Sequence, residues 1–266
     1  MEECWEKIDD IKIRYLESGK RNDKHLLFIH GLGSASDRWM NIPNILSSNY
    51  HCMAIDLPGF GESDNPVCVD YTINFFRDFV VSFLEKKSVQ LEKTCLIGHS
   101  LGGYIASEIA IQNTPKQLVL IDSSGMLRQT TPILDEYQEA AFNPTKENVR
   151  NAFEKMVADP DRIPSILVDS FIQRINLPYA KHAFESALKN STTTQIGIGR
   201  LEQIRIPTLV IWGVHDKVIP LEHSKFFKDS IVNSTLEIID DAGHAPFAEK
   251  PTIVCKLLRG FLEQST

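Results

Sequence analysis

The stretch CLIGHSLGGYIA, Cys95 to Ala106, sets one serine between an apolar run and a helical pattern. Cys95-Leu96-Ile97 precedes it, and glycines stand two residues before it (Gly98), two after (Gly102) and three after (Gly103). Residues without side chains belong where backbones come close or a turn is tight. Three readings compete: glycines that only pack a strand against a helix, glycines that cradle a phosphate, and glycines that permit a sharp turn exposing Ser100. A phosphate loop wants G-x-G-x-x-G or GxxxxGK[ST]. The spacing here fits neither, and no lysine follows the turn. Strand, G-x-S-x-G, helix is instead the pattern that holds a serine at a strained backbone angle with its hydroxyl presented.

The surrounding chain supplies the strands and helices this reading needs. Ile11 to Glu17 alternates with period two and reads as a half-buried strand. Leu26–His30, His51–Asp56, Thr94–Gly98, Gln117–Asp122, Thr208–Gly213 and Thr235–Asp240 are short and mostly apolar, as strands buried on both faces of a parallel sheet are. Ile73, Phe76, Val80, Phe83 and Leu84 share one helical face. So do Val254, Leu257, Leu258 and Phe261, in a helix that Pro251 suits at its first position. Alternating strand and helix implies an α/β fold: a mostly parallel central sheet with helices on both faces.

One region breaks the alternation. Residues 125–199 carry only helical spacing, as in Val149, Ala152, Phe153, Met156 and again Val168, Phe171, Ile172, Ile175, with Pro160, Pro164 and Pro178 separating the pieces. The expected division is a core of residues 1–124 and 200–266 and a helical insertion at 125–199. An insertion after a sheet strand is placed to act as a lid, because ligands bind at the carboxyl ends of the strands. Phe142, Met156, Phe171 and Phe184 are its candidate pocket residues.

A serine hydroxyl needs a base, and the base needs an orienting acid. In this architecture the chain order is Ser, Asp or Glu, then His. Of the eight histidines, His244 in DDAGHAPF leads, lying between the last strand and the last helix. His25, His51, His182 and His223 read as surface or strand-start residues. Asp216 in WGVHDKVIP is the favoured acid, with Asp122 its main rival. HGLG, His30 to Gly33, follows a strand and offers a backbone N–H at Leu32; with the N–H of Leu101 it would form an oxyanion hole.

Composition narrows the partners. The 266 residues are 42% hydrophobic and 24% charged, ordinary for a globular chain. A formal charge of -7 without a Lys/Arg cluster speaks against nucleic acid and anionic membranes. No run of 18 apolar residues is present, so no membrane insertion is expected. The N-terminal MEECWEKIDD lacks the apolar core of a secretory signal. Five scattered cysteines without CxxC spacing indicate neither a disulfide framework nor a zinc site. These features lead to an expected cytoplasmic location.

Together these motifs resemble the α/β-hydrolase superfamily, in particular its serine carboxylesterase and lipase-like members with a helical cap. The resemblance covers essentially the whole chain. HGLG looks like the oxyanion loop, DLPGFGESD (Asp56 to Asp64) the loop after the fourth strand, GHSLGG the nucleophile elbow, WGVHDKVIP the acid loop and GHAPFAEKP the histidine loop. It implies Ser100 as nucleophile, Asp216 as acid, His244 as base, and Leu32 and Leu101 as oxyanion donors. It further implies hydrolysis of a small to medium carboxylic ester through an acyl-enzyme, with a small-molecule substrate and neither metal nor organic cofactor.

Other reactions share the fold. Haloalkane dehalogenases and epoxide hydrolases of this superfamily use an aspartate at the elbow, and Ser100 argues against both. The C–C hydrolases of meta-cleavage products usually carry a tryptophan after the histidine, where Ala245-Pro246-Phe247 stands here. A C–C hydrolase or an enol-lactone hydrolase is the enzymatic alternative, and a hydrolase-like ligand receptor the non-enzymatic one. Arg128 and Arg174 are candidates for binding a substrate carboxylate. A histidine base, with a reference pKa of about 6.5, predicts activity that falls in acid.

Overall fold

The computed structural model describes residues 1–264. Among them the apolar runs become one eight-stranded sheet in the order β1-β2-β4-β3-β5-β6-β7-β8. The strands are β1 (Glu2–Ile8), β2 (Ile11–Ser18), β3 (His25–Ile29), β4 (His51–Ile55), β5 (Thr94–His99), β6 (Gln117–Ile121), β7 (Thr208–Gly213) and β8 (Ser234–Ile239). β1 and β2 form an antiparallel hairpin and β2 runs antiparallel to β4; every other neighbouring pair is parallel.

The helices are α1 (Asn41–Leu46), α2 (Ile73–Lys86), α3 (Leu101–Gln112), α4 (Pro132–Phe142), α5 (Lys146–Met156), α6 (Ser165–Ile175), α7 (Ala180–Thr193), α8 (Ile198–Leu201), α9 (Glu222–Ser230), α10 (Pro246–Glu249) and α11 (Pro251–Glu263). Thr72, Thr131 and Thr145 each accept an N–H from the first turn of α2, α4 and α5. Such a cap stabilises a helix by about 1 kcal/mol. Pro251 takes the first position of α11, where its missing N–H costs nothing.

Period two along the central strands divides the core. Leu96, Leu118, Leu120, Val210 and Trp212 face one side and meet side chains of α2, α3, α9 and the helices between β6 and β7. Cys95, Ile97, Val119, Leu209 and Ile211 face the other and meet α1 and α11. Burial on both faces is what lets these strands be continuously apolar.

Two strands differ from expectation. The acidic N-terminus is a strand: Cys4, Glu6 and Ile8 turn inward on an edge ribbon, and the hairpin turns through Asp9 at φ 52°. Its alternation is masked because Glu6 takes an inward position. β8, expected to be buried on both faces, is the opposite edge and leaves Thr235, Glu237 and Ile238 exposed. An edge strand has a neighbour on one side only, and charge on it discourages pairing with other chains. No helix among the described residues is long and apolar enough to cross a membrane.

Candidate active site

β5 ends at His99, and the chain reverses at once into α3. Ser100 carries that reversal at φ 52°, ψ -117°, a left-handed setting that a residue with a Cβ adopts only under strain. The glycines make it possible. A Cβ on Gly98 would lie 2.3 Å from the Gly102 carbonyl oxygen, and one on Gly102 would lie 2.2 Å from that of Ile29. Gly103 is needed for a related reason, since a Cβ there would meet the Ser123 hydroxyl at 2.4 Å. Close packing and a tight turn are therefore both true of these glycines.

The loop after β3 lies directly against the serine. A Cβ on Gly31 would be 3.0 Å from the Ser100 Cβ. Among the described residues, the N–H groups of Leu32 and Leu101 donate to no protein acceptor. These two donors stand on the residues next to Gly31 and next to the buried Ser100, an arrangement that suits an oxyanion. His30 sets this loop: its Nδ1–H donates to the Gly31 carbonyl at 2.7 Å, and its Nε2 accepts from Leu57 N at 3.0 Å. Burial pushes the His30 imidazolium down in pKa, so the ring stays neutral and can do both.

Asp216 lies after β7 and His244 after β8. His244 Nδ1–H donates to Asp216 Oδ2 at 2.8 Å, and both residues are buried. The bond fixes the tautomer, leaving Nε2 as the lone-pair nitrogen. Asp216 Oδ1 accepts from Val218 N at 2.8 Å and Ile219 N at 3.0 Å. The aspartate thus makes a local turn and holds the histidine with different oxygens. Among the described residues the Ser100 hydroxyl makes no hydrogen bond to protein; such contacts are often loose before substrate arrives.

Several supports lie outside the motifs. His99 Nε2–H donates to the His244 carbonyl at 2.6 Å, and the two rings are 4.8 Å apart. Burial, then the nearby His244, holds the pKa of His99 well below that of a free histidine, so it is neutral. Glu249 accepts from Gly243 N and Ala245 N on either side of His244, and from Ala158 N in the helical segment. His244 N itself donates to Met156 O at 2.8 Å. Tyr137 of α4 donates to the Leu32 carbonyl at 3.2 Å. Of these only His99 and Glu249 lie inside a sequence motif, and the signal there was position: each stands within five residues of the catalytic candidates.

Other candidates fall elsewhere. Asp122, the rival acid, is fully buried and takes Gly213 N–H at 2.9 Å on Oδ1, while the His244 bond goes to Asp216. His51 starts β4, as the strand-start reading has it, and is buried, bonding Glu17 at 2.8 Å. Arg174 is already engaged by Asp37 and by Glu62 at 3.1 Å, which removes it as a free carboxylate receptor. Arg128 and Phe142 are exposed. Phe171 and Phe184 are buried around Tyr137, and Met156 contributes its carbonyl. One nitrogen or oxygen each from His99, Asp122 and His244 falls within 4.8 Å of the others. Each of these side chains is already committed to a protein partner.

Known proteins share this frame. Lipase 3 of Moraxella sp. (strain TA144) is 30% identical over 252 residues, covering 90% of this chain and 77% of that one. The crystal structure of a putative lipase from Acinetobacter baumannii superposes with a TM-score of 0.87 at 26% identity, covering 99% of this chain and 91% of the other. The meta-cleavage product hydrolase of Pseudomonas fluorescens has a TM-score of 0.89 at 22% identity, covering 99% and 98%, a likeness of fold. A family model described as alpha/beta hydrolase fold matches residues 24–251. With that match over most of its length, the chain belongs to the alpha/beta hydrolase fold family.

Proposed function

We propose that the chain is a serine hydrolase that cleaves small to medium carboxylic esters through an acyl-enzyme. The observation that carries this is the Asp216–His244 bond, in a loop whose His244 carbonyl is held by His99, the residue next to a Ser100 that sits at φ 52°. Ser100 Oγ attacks the ester carbonyl while His244 Nε2 takes its proton. The carbonyl oxygen becomes an oxyanion and accepts the N–H groups of Leu32 and Leu101; one such donor contributes about 3 kcal/mol. The tetrahedral carbon collapses, His244 returns the proton to the leaving alkoxide, and an alcohol departs. Water then attacks the acyl-enzyme with His244 again as base, and the carboxylic acid leaves. Asp216 keeps its charge throughout and stabilises the imidazolium.

The similarity to proteins named as lipases favours an ester over a C–C bond. Residues 125–199 act in this reading as a lid over the strand ends, and their apolar side chains receive an apolar acyl or alcohol group. The chemistry needs neither metal nor organic cofactor, and the acidic, cysteine-scattered chain works in the cytoplasm on a small molecule.

The test is covalent labelling with a fluorophosphonate beside a p-nitrophenyl ester series of increasing acyl length. Label on Ser100 and turnover of the shorter esters are expected, with Ser100→Ala losing roughly 10⁴-fold or more in kcat/KM. No label on Ser100 overturns the enzyme reading. Label without ester turnover, or a meta-cleavage dienoate consumed faster than any ester, overturns the choice of substrate.

A further inference from the structure

Behind Asp216 stands a second carboxyl that the reaction above does not use. Asp122 follows β6 directly, has no solvent exposure, and sits at φ 43°, a left-handed setting for a residue with a side chain. Its backbone N–H donates to Ile211 O at 3.0 Å, which ties the strained residue to β7. Its Oδ1 accepts from Gly213 N at 2.9 Å. Its Oδ2 is buried and meets no hydrogen-bond donor among the described residues. One oxygen of this carboxyl lies within 4.8 Å of a ring nitrogen of His244 and of one of His99.

A bare carboxylate oxygen in such a place is costly, and Asp216 beside it makes it costlier. Two adjacent buried carboxyls share one proton, because both cannot hold a charge. The hydrogen bonds say which one holds it. Asp216 takes two backbone N–H groups and the imidazole N–H, all of which favour its charged form. Asp122 takes one N–H. Burial first, and the Asp216 charge second, push the Asp122 carboxyl well above the usual carboxylate range. A proton on Oδ2 converts an acceptor without a donor into a donor, with the Asp216 carboxylate as its neighbour.

We propose that Asp122 is a positioning residue: it stays protonated at neutral pH, and its Oδ2–H donates to the carboxylate of Asp216, holding that carboxylate for His244 and drawing off part of its charge. The inference rests on the reading of Asp216 and His244 as acid and base. The pair Asp122–Asp216 carries one negative charge in total, and no proton moves within it during turnover. Among the described residues, the other charged or titratable groups around the pair include His99 after β5, Glu249 at the end of α10, His223 in α9, whose ring feels the Asp216 charge, and His244 itself. Arg38 and His30 act on His99 electrostatically.

The proton can be seen without catalysis. In wild-type chain labelled with ¹³C at the aspartate carboxyls, one resonance should keep the position of a protonated acid at pH 7, and Asp122→Asn should remove it. An infrared C=O band of a protonated acid, shifted in D₂O, should vanish in the same variant. If no aspartate of the wild-type chain is protonated at pH 7, the proposal falls, whether or not the variants fold.

Catalysis gives the second readout. Asp122→Asn keeps a donor toward Asp216, whereas Asp122→Val has none. Without the donor Asp216 carries its full charge, which favours the imidazolium. The acid limb of kcat/KM should then move up by about half a pH unit or more in Asp122→Val. Its kcat should fall roughly tenfold with KM little changed, because the geometry of the base is disturbed. Asp122→Asn should recover most of kcat and restore the acid limb. Equal behaviour of the two variants, or an unmoved limb in Asp122→Val, overturns the proposal. Fluorophosphonate labelling of Ser100 is scored separately: its failure overturns the triad reading and leaves the carboxyl resonance to decide the proton.

Discussion

The loops at the carboxyl ends of the strands and the helices between β6 and β7 are held by different forces. The loops are fixed by backbone groups. His99 holds the His244 carbonyl, Glu249 holds the N–H groups on both sides of His244, and glycines abut carbonyl oxygens at 2.1–2.4 Å from where a Cβ would be. The helices are fixed by apolar side chains, such as the Tyr137, Phe171 and Phe184 cluster, with a few polar tethers to the core. Backbone constraints admit almost no alternative residue. Apolar packing admits many, provided volume is kept.

The largest effect follows from breaking a backbone constraint. In Gly102→Ala the new Cβ would stand 2.2 Å from the Ile29 carbonyl oxygen, between two elements that cannot move apart without opening the sheet. A loss of roughly 3 kcal/mol or more is expected, within the range of overpacking and strain combined. Thermal unfolding measures it. A Tm within a degree or two of wild type would show that the elbow yields, and would weaken the contrast between the two regions.

Next comes acid. His30 and His99 are buried neutral in the fold, with burial the first cause of their lowered pKa. Unfolded, each takes up a proton below about pH 6.5, while the native rings stay neutral. The unfolded state then binds more protons, so stability is full above that pH and is lost as the pH falls. Asp122 acts in the opposite sense. Its raised pKa means the native state holds a proton that the unfolded chain has released above about pH 4, so its share of stability declines as pH rises. His25 and His223, also lowered chiefly by burial, act in the same sense as His30 and His99, and Asp122 opposes them between roughly pH 4.5 and 6. Asp122→Asn removes the opposing group and should steepen the rise of stability with pH by about 1.4 kcal/mol per unit. Urea midpoints at three pH values in that window test both slopes, and an unchanged slope in the variant contradicts the assignment of the proton.

Tyr137→Phe probes the seam between the regions. The hydroxyl donates to the Leu32 carbonyl, beside the N–H proposed to meet the oxyanion. Its loss should lower kcat by about three- to tenfold with a smaller change in KM, since it loosens a donor used in the transition state. The partly buried Leu32 carbonyl also loses a partner, at a stability cost of about 1 kcal/mol or less. A change confined to KM would assign Tyr137 to substrate contact instead.

This division explains what was legible in the amino-acid sequence. Gly98, Ser100 and Gly102 announced the elbow because a strained turn leaves the backbone no other residues. The five central strands β3 to β7 were legible through continuous apolar runs. β1 was hidden because Glu6 faces inward on a hairpin edge, where the long side chain is mostly covered and reaches Lys87 at 3.8 Å. Helices between β6 and β7 showed their period, but their tethers did not. Tyr137 reaches Leu32 across 105 residues and Arg174 reaches Asp37 across 137, and no local pattern encodes either pairing. For the same reason Arg174 looked available to a substrate.

Arg174 supplies the smallest expected effect and the sharpest contrast. It links α6 to Asp37 and Glu62, which are themselves partly exposed. Asp37 keeps Arg14 when Arg174 is gone, at 2.8 Å, so no charge is stranded. Burial alone would raise the Asp37 carboxyl; hydrogen bonds from both arginines outweigh it, and one of them survives the change. Arg174→Ala should therefore cost less than about 1 kcal/mol, and less still in high salt. Arg14→Ala removes the hub rather than a tether. Asp56, with no exposure, loses the arginine that it meets at 3.2 Å and remains a buried carboxylate, which costs about 3–5 kcal/mol. The two substitutions remove the same charge from the same cluster. A similar Tm loss in both would mean that the helical segment is bound to the core as firmly as the strand-end loops are bound to one another, and the contrast between the regions would fail.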